Sequence, residues 1–171
     1  MKKVAFLLVM LFMQLSGFSQ SETPILKFGF LSYDEVLQSM PDYAIAESGL
    51  QQLQEQYAAE QKRVENEFNN KYEEFLDGQR DFPQTILQKR QSELQELLDK
   101  NIAFKKESQR LLAEARERAL APLKTRLADA LARVGSTRGL AFILNTDQNA
   151  MPWLNITMGE DVTEAVKNAL K

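Results

Sequence analysis

The chain has 171 residues, 21 basic and 24 acidic side chains and a formal net charge of −3, which is room for one ordinary domain and not two. Histidine and cysteine are both absent, excluding His-dependent triads, thiol nucleophiles, disulfides and His or Cys metal ligands. The 7 glycines and 5 prolines are few and point to long helices, while the mild acidity argues against a nucleic-acid binder.

Lys2 and Lys3 are followed by an unbroken apolar run from Val4 to Met13, and Gly17 and Ser19 sit where a signal peptidase reads small residues. This pattern predicts a secretory signal peptide over residues 1–19. The run is too short to span a bilayer, which takes roughly 20 apolar residues, and no cysteine follows it to carry a lipid. The mature chain is expected to be soluble and exported to the periplasm. Without the two lysines it carries 19 basic and 24 acidic side chains.

Residues 27–31, KFGFL, read as a strand with Phe28, Phe30 and Leu31 as burial candidates. Ser32 and Glu35 have the spacing of a capping box and predict a short helix with Val36, Leu37 and Met40 inward. Pro41 interrupts it, and Asp42 is placed to start the next helix. From residue 43 to 76 the apolar positions are Leu50, Leu53, Tyr57, Val64, Phe68, Tyr72 and Phe75, the spacing of a narrow coiled-coil seam. DGQRDFPQ at 77–84 is a turn signal. Helical spacing resumes at Leu87, Leu94, Leu98 and Ile102, and thickens at Leu112, Leu120, Leu123, Leu127, Leu131 and Val134.

Folding at about residue 81 pairs the two runs, with Phe75 near Leu87, Phe68 near Leu94 and Val64 near Leu98. About 30 residues on each side make an arm of roughly 45 Å. Pro122 is expected to kink the second helix without ending it, and Gly135 and Gly139 to stop it. LAFIL at 140–144 is the second strand candidate, and a short strand is expected around Trp153. Asp161 and Glu164 have capping-box spacing before a last helix carrying Val162, Ala165, Val166, Ala169 and Leu170. The strands stand at the two ends of the mature chain with the hairpin inserted between them. So few strands leave open edges, which oligomerisation through the sheet would close. The body candidates are Phe28, Phe30, Leu31, Phe142, Ile143, Leu144, Val162 and Val166.

No Walker or dinucleotide motif is present. GSTRG at 135–139 follows a helix and precedes a strand, the wrong order for a phosphate loop. The carboxylate pairs Glu73/Glu74 and Glu93/Glu96 read as solvated helix faces and not as a hydrolase pair. No catalytic residue, cofactor or metal is expected. Among the arm aromatics, Phe68 and Phe75 fit the seam. Phe82 at the tip and Phe104, out of step with Leu98 and Ile102, fit it poorly and are expected on an exposed binding surface. Tyr57 and Tyr72 complete the client-binding candidates.

The mature chain resembles the Skp/OmpH family of periplasmic chaperones along its whole length. The likeness lies in KFGFLSYDEVLQSMPDY near the start, the long hairpin without a globular core, and the ending with Asp161, Val162, Thr163 and Val166. The resemblance implies a mainly α fold with a small β body. A long antiparallel helical hairpin is inserted between strands of a small trimeric β-barrel, and three arms enclose a cavity. It implies a homotrimer that holds unfolded outer-membrane β-barrel proteins without ATP and prevents their aggregation. The expected parts are the signal peptide at 1–19, the body at 20–46 and 116–171, and the arm at 47–115. This sequence departs from the family in charge. Well-known members are strongly basic, with positive arms that attract acidic clients and lipopolysaccharide. Here residues 47–115 hold 10 basic and 14 acidic side chains, with no match to a lipopolysaccharide-binding cluster, so lipid contact is left open. The alternative reading is a structural coiled-coil envelope protein used as a spacer or docking surface.

Overall fold

The computed structural model describes residues 26–171; the expected signal peptide lies outside the described residues. The elements are β1 (Phe28–Leu31), α1 (Tyr33–Gln38), α2 (Pro41–Gly78), α3 (Gln84–Arg138), β2 (Phe142–Asn145), a single 3-10 turn (Asp147–Asn149), β3 (Glu160–Asp161) and α4 (Thr163–Ala169).

Each boundary has a local cause. Ser32 Oγ accepts a hydrogen bond from Glu35 N at 3.1 Å, starting α1 as the spacing predicts. Glu35 does not complete the box; its carboxylate accepts from Lys167 Nζ at 2.7 Å. Pro41 opens α2 at its first helical position, where the missing N–H costs nothing and the fixed φ suits the helix. Pro122 lies inside α3, which continues to Arg138. Gly139 ends α3 in the left-handed region, at φ 64°, which glycine adopts without penalty. Its N–H donates to Ser136 O and that of Leu140 donates to Gly135 O, the paired bonds of a Schellman motif. Gly135 is therefore inside the helix, and Leu140 belongs to the cap and not to β2.

The three strands are parallel in the order β2-β1-β3. Phe28 pairs with Phe142 and Phe30 with Leu144. Successive strand residues face opposite sides. Gly29 and Leu31 are buried while Phe28 and Phe30 are half-buried. Ile143 packs on the buried core, and in-register neighbours place Phe28, Phe30, Phe142 and Leu144 on the other face. Phe28 stacks on Phe142 at 5.7 Å.

The core lies on the first face. It joins Leu31 with Val36, Leu37 and Met40 of the α1 region, Leu120, Leu123, Leu127, Ala130 and Val134 of α3, and Val162 and Val166 at α4. Asp42 near the start of α2 bonds Arg126 at 2.6 Å, so α3 runs past the end of its partner. That overhang supplies the apolar residues of the body. Phe142 is 44% exposed on the single chain, because the period-2 pattern aims it away from the helices. No strand forms around Trp153, where MPWLNITM makes bends and turns. The third strand is Glu160–Asp161 instead, pairing with Gly29 and Phe30. Asp161 is not the N-cap of α4; Val162 is. The Asp161 carboxylate still accepts from Thr163 N at 2.9 Å, satisfying a first-turn donor.

The loop after β2 fastens the two ends of the chain. Thr146 N donates to Leu31 O at 3.0 Å, and Asn145 Oδ1 accepts from Tyr33 N at 3.2 Å. Asp147 Oδ1 accepts from Ser32 Oγ at 2.5 Å and Oδ2 from Asp34 N at 2.8 Å.

Candidate functional site: the helical arm

Helices α2 and α3 leave the body side by side, and their contacts run in opposite order along the two helices. Glu47 meets Arg116 at 2.5 Å, the Tyr57 ring meets Phe104 edge-on at 6.3 Å, and Asn101 Nδ2 donates to Val64 O at 3.1 Å. Seventy-eight and eighty-four bound the tip, as the turn signal predicts.

The seam on α3 differs from the expected one. Leu98 is 39% and Ile102 60% exposed. Leu94, Leu97, Asn101, Phe104, Ser108 and Leu111 are half-buried or buried with gaps of three and four, the heptad pattern, and Leu112 beside them is half-buried as well. Two of these are polar, so reading only apolar residues shifted the seam by one position. Val64 accordingly faces Asn101 and not Leu98. Ser108, 7% exposed, donates to Lys105 O at 3.0 Å, so its burial leaves no unpaired hydroxyl.

This register decides where the candidate residues sit. Phe104 is half-buried against Tyr57, and the expectation of an exposed ring there is corrected. Phe82 is also half-buried. Its ring folds over Gly78, where an added Cβ would lie 2.4 Å from it; the tip aromatic plugs the end of the arm because residue 78 has no side chain. Tyr72 is 45% exposed and stacks on Phe68 at 6.0 Å. Of the body candidates, Leu31, Val162 and Val166 belong to the chain's own core. Phe28, Phe30, Phe142 and Leu144 form the outer sheet face.

The arm carries ion pairs at helical spacing: Arg63 with Glu60 and Glu67, Glu93 with Lys89 and Arg90, Lys100 with Glu96, and Arg110 with Glu107 and Glu114. Hydrogen bonds from these partners lower the carboxyls of Glu60, Glu96 and Glu107 below their usual range. Such exposed pairs contribute little stability individually; they keep the helices hydrated. Grooves run along the arm on both sides, one of them lined by Glu96, Asp99 and Lys100. Near the tip a groove of about 230 Å³ is formed by Phe68, Tyr72, Phe75, Leu94 and Leu98 with Gln91 and Gln95. Nearer the body a wider one of about 970 Å³ lies between Leu50, Gln54 and Ala58 and the facing Gln109, Leu112 and Ala113. The sequence signal for these two grooves was the glutamines recurring at helical intervals, which apolar periodicity passes over.

Among the described residues, no cluster of acidic side chains is arranged to hold a metal ion. No described helix is long and apolar enough to cross a membrane.

The family described as outer membrane protein (OmpH-like) matches residues 27–170. A search of curated proteins gives no match. The solved structure of a candidate outer membrane chaperone (OmpH-like) from Caulobacter crescentus is similar, with a TM-score of 0.63 and 18% identity, over 85% of this chain and 83% of that one. At that identity the structure speaks for the fold, while the family match spans nearly all the described residues. The chain belongs to the OmpH-like outer membrane protein family, whose members are chaperones and not enzymes.

Proposed function

We propose that the protein is an ATP-independent periplasmic holdase: it binds unfolded outer-membrane β-barrel proteins between helical arms and keeps them from aggregating. The observation that carries this reading is the arm itself. Two long helices stand on a small body, and their thin seam leaves apolar groups exposed: Tyr72, Leu76, Ile86, Leu98 and Ile102. A surface of many weak apolar contacts suits clients that share no fixed sequence. An arm held by a narrow seam also deforms at lower cost than a packed domain.

Three copies would complete the body. The sheet is open at β2 and β3. Phe142, Trp153, Ile156 and Met158 are 44%, 78%, 66% and 72% exposed, more apolar surface than a lone small body usually presents. Closing edges and covering this surface in one step supports a homotrimer. The arms then surround a shared space, as the family resemblance implies.

Removal of the arm tests the reading. Tyr57 and Phe104 are neighbours across the arm, so residues 60–104 can be replaced by a short Gly-Ser turn without stretching the chain. The core lies wholly outside that segment, and the armless protein should fold. Light scattering after dilution of an unfolded β-barrel protein from urea, without ATP, should show that only the full protein suppresses aggregation. Equal suppression by the armless protein would overturn the client site in the arms and favour a spacer.

A further inference from the structure

We propose that the ion pair Glu117–Lys124 is a strut across a hinge at Pro122, and that this strut makes the direction of the arm depend on ionic strength; the consequence for client capture rests on the chaperone reading above. Pro122 lies inside α3. It has no N–H to offer Arg118 O, and its ring pushes the helix open on its own side. Thr125 Oγ1 donates to Ala121 O at 3.1 Å, a back-bond that also bends helices.

Packing is thin on the arm side of the proline. No residue of α2 is fully buried, and none of α3 is between Ser108 and Leu120. The wide groove of about 970 Å³ opens at this level, and Ala44, Ser48 and Ala113 in its lining are small. Gly49 has nothing within 4 Å of the position a Cβ would take, and a glycine inside a helix weakens it. The seam of the arm and the core of the body are therefore separate, and the α3 backbone carries the join.

Charge takes over where packing stops. Farther along the arm, each ion pair joins residues three or four apart on one helix. At the root the pattern changes. Glu117 and Lys124 are seven apart with Pro122 between them, and they meet at 3.2 Å. Glu47–Arg116 and Asp42–Arg126 are the only pairs among the described residues that join α2 to α3, and their arginines fall on either side of Pro122. At about 100° per residue, Glu117 and Lys124 lie about 140° and 160° round the helix from the proline, close to its opposite face. A bend away from the proline shortens that face, so the pair closes on the bent helix and holds it. Solvent-accessible pairs contribute little singly; the three together shift the balance between two arm directions roughly fivefold. They weaken as salt rises, so the space between arms changes width with ionic strength.

The chain has no cysteine, so dyes can be placed on the mature protein at Arg80→Cys on the tip and Asn168→Cys on the body. One labelled copy mixed with excess unlabelled protein reports the tip-to-body distance by single-molecule energy transfer. Between 50 and 500 mM salt, the low-salt population should fall about fivefold relative to the displaced one. Glu117→Gln should produce most of that change at 50 mM. Exchanging the charges, Glu117→Lys with Lys124→Glu, should reverse it, which a general structural defect would not do. Pro122→Ala should show one distance at both salts. An unchanged distance in Glu117→Gln, no recovery in the exchange, or a full salt response in Pro122→Ala overturns the proposal. Light scattering separates the two readings. If the distances behave as expected while an unfolded β-barrel client still aggregates, the hinge stands and the chaperone reading fails. If the client stays soluble and the distances ignore both salt and Glu117→Gln, the hinge fails and the chaperone reading stands.

Discussion

Asp147 shows how much one side chain can decide. Its carboxylate ties the segment after β2 to Ser32 and to the first turn of α1, 115 and 113 positions away in sequence. Burial pushes its acid strength down, but hydrogen bonds from Ser32, the Asp34 backbone and Asn145 outweigh this and hold the carboxyl below its usual value. The charged form is thus the bonded one. Its contribution is complete above the unfolded value of about 3.9 and is lost as pH falls through the lower folded value. Asp147→Ala should cost about 1 kcal/mol at neutral pH, the scale of a lost cap. Its stability should also fall less steeply than wild type below about pH 4. Urea unfolding followed by circular dichroism at pH 7 and pH 3 measures both; parallel acid slopes would mean that Asp147 is not the group responsible. Ser32 was legible as a cap because its partner lies three residues on. Asp147 was not, because nothing local in NTDQN shows that its acceptor bonds go to the other end of the chain.

At the scale of the element, the arm illustrates where periodicity succeeds and where it slips. Both long helices, the break near residue 80 and the survival of α3 through Pro122 follow from apolar spacing and from the scarcity of chain breakers. The seam did not follow, because Asn101 and Ser108 occupy seam positions that an apolar count skips. A polar residue at one seam position fixes register and costs stability. Asn101 does this by bonding Val64 O. Asn101→Leu should therefore raise the thermal midpoint, by the equivalent of roughly 1 kcal/mol. It should also loosen the alignment of the helices, read as lower crosslinking yield between cysteines placed at Val64 and Lys105. A lower midpoint would show that the amide bond outweighs the apolar gain. The same register explains why Phe82 and Phe104 are half-buried: one plugs the tip over Gly78, the other completes the seam beside Tyr57.

The whole molecule is shaped by where the apolar residues face. The sequence order of strand, hairpin and strand already required the chain ends to meet, and β1 and β2 do pair. What the strands do with their side chains was only half legible. Phe28 and Phe30 look like core in a short apolar run, yet alternation sends them away from the helices, and the buried positions are Gly29 and Leu31. The outer face, with Trp153 and Ile156 in the loop before β3, stays exposed on the single chain and is the surface that the proposed trimer would cover. Light scattering should accordingly give about three times the chain mass at micromolar concentration, since an open sheet with an apolar face is poorly stable alone. Trp153→Asp is the sharper probe. Trp153 is 78% exposed and outside the chain's own core, so a carboxylate there should leave the helices intact and still lower the measured mass, because burying an unpaired charge at a copy-to-copy contact is costly. Phe142→Asp should lower the mass too, with some loss of folding stability because Phe142 stacks on Phe28. A Trp153→Asp protein that keeps the triple mass would place the contact elsewhere on the body, and an unsubstituted chain that runs as a stable monomer would remove the shared cavity on which client enclosure depends.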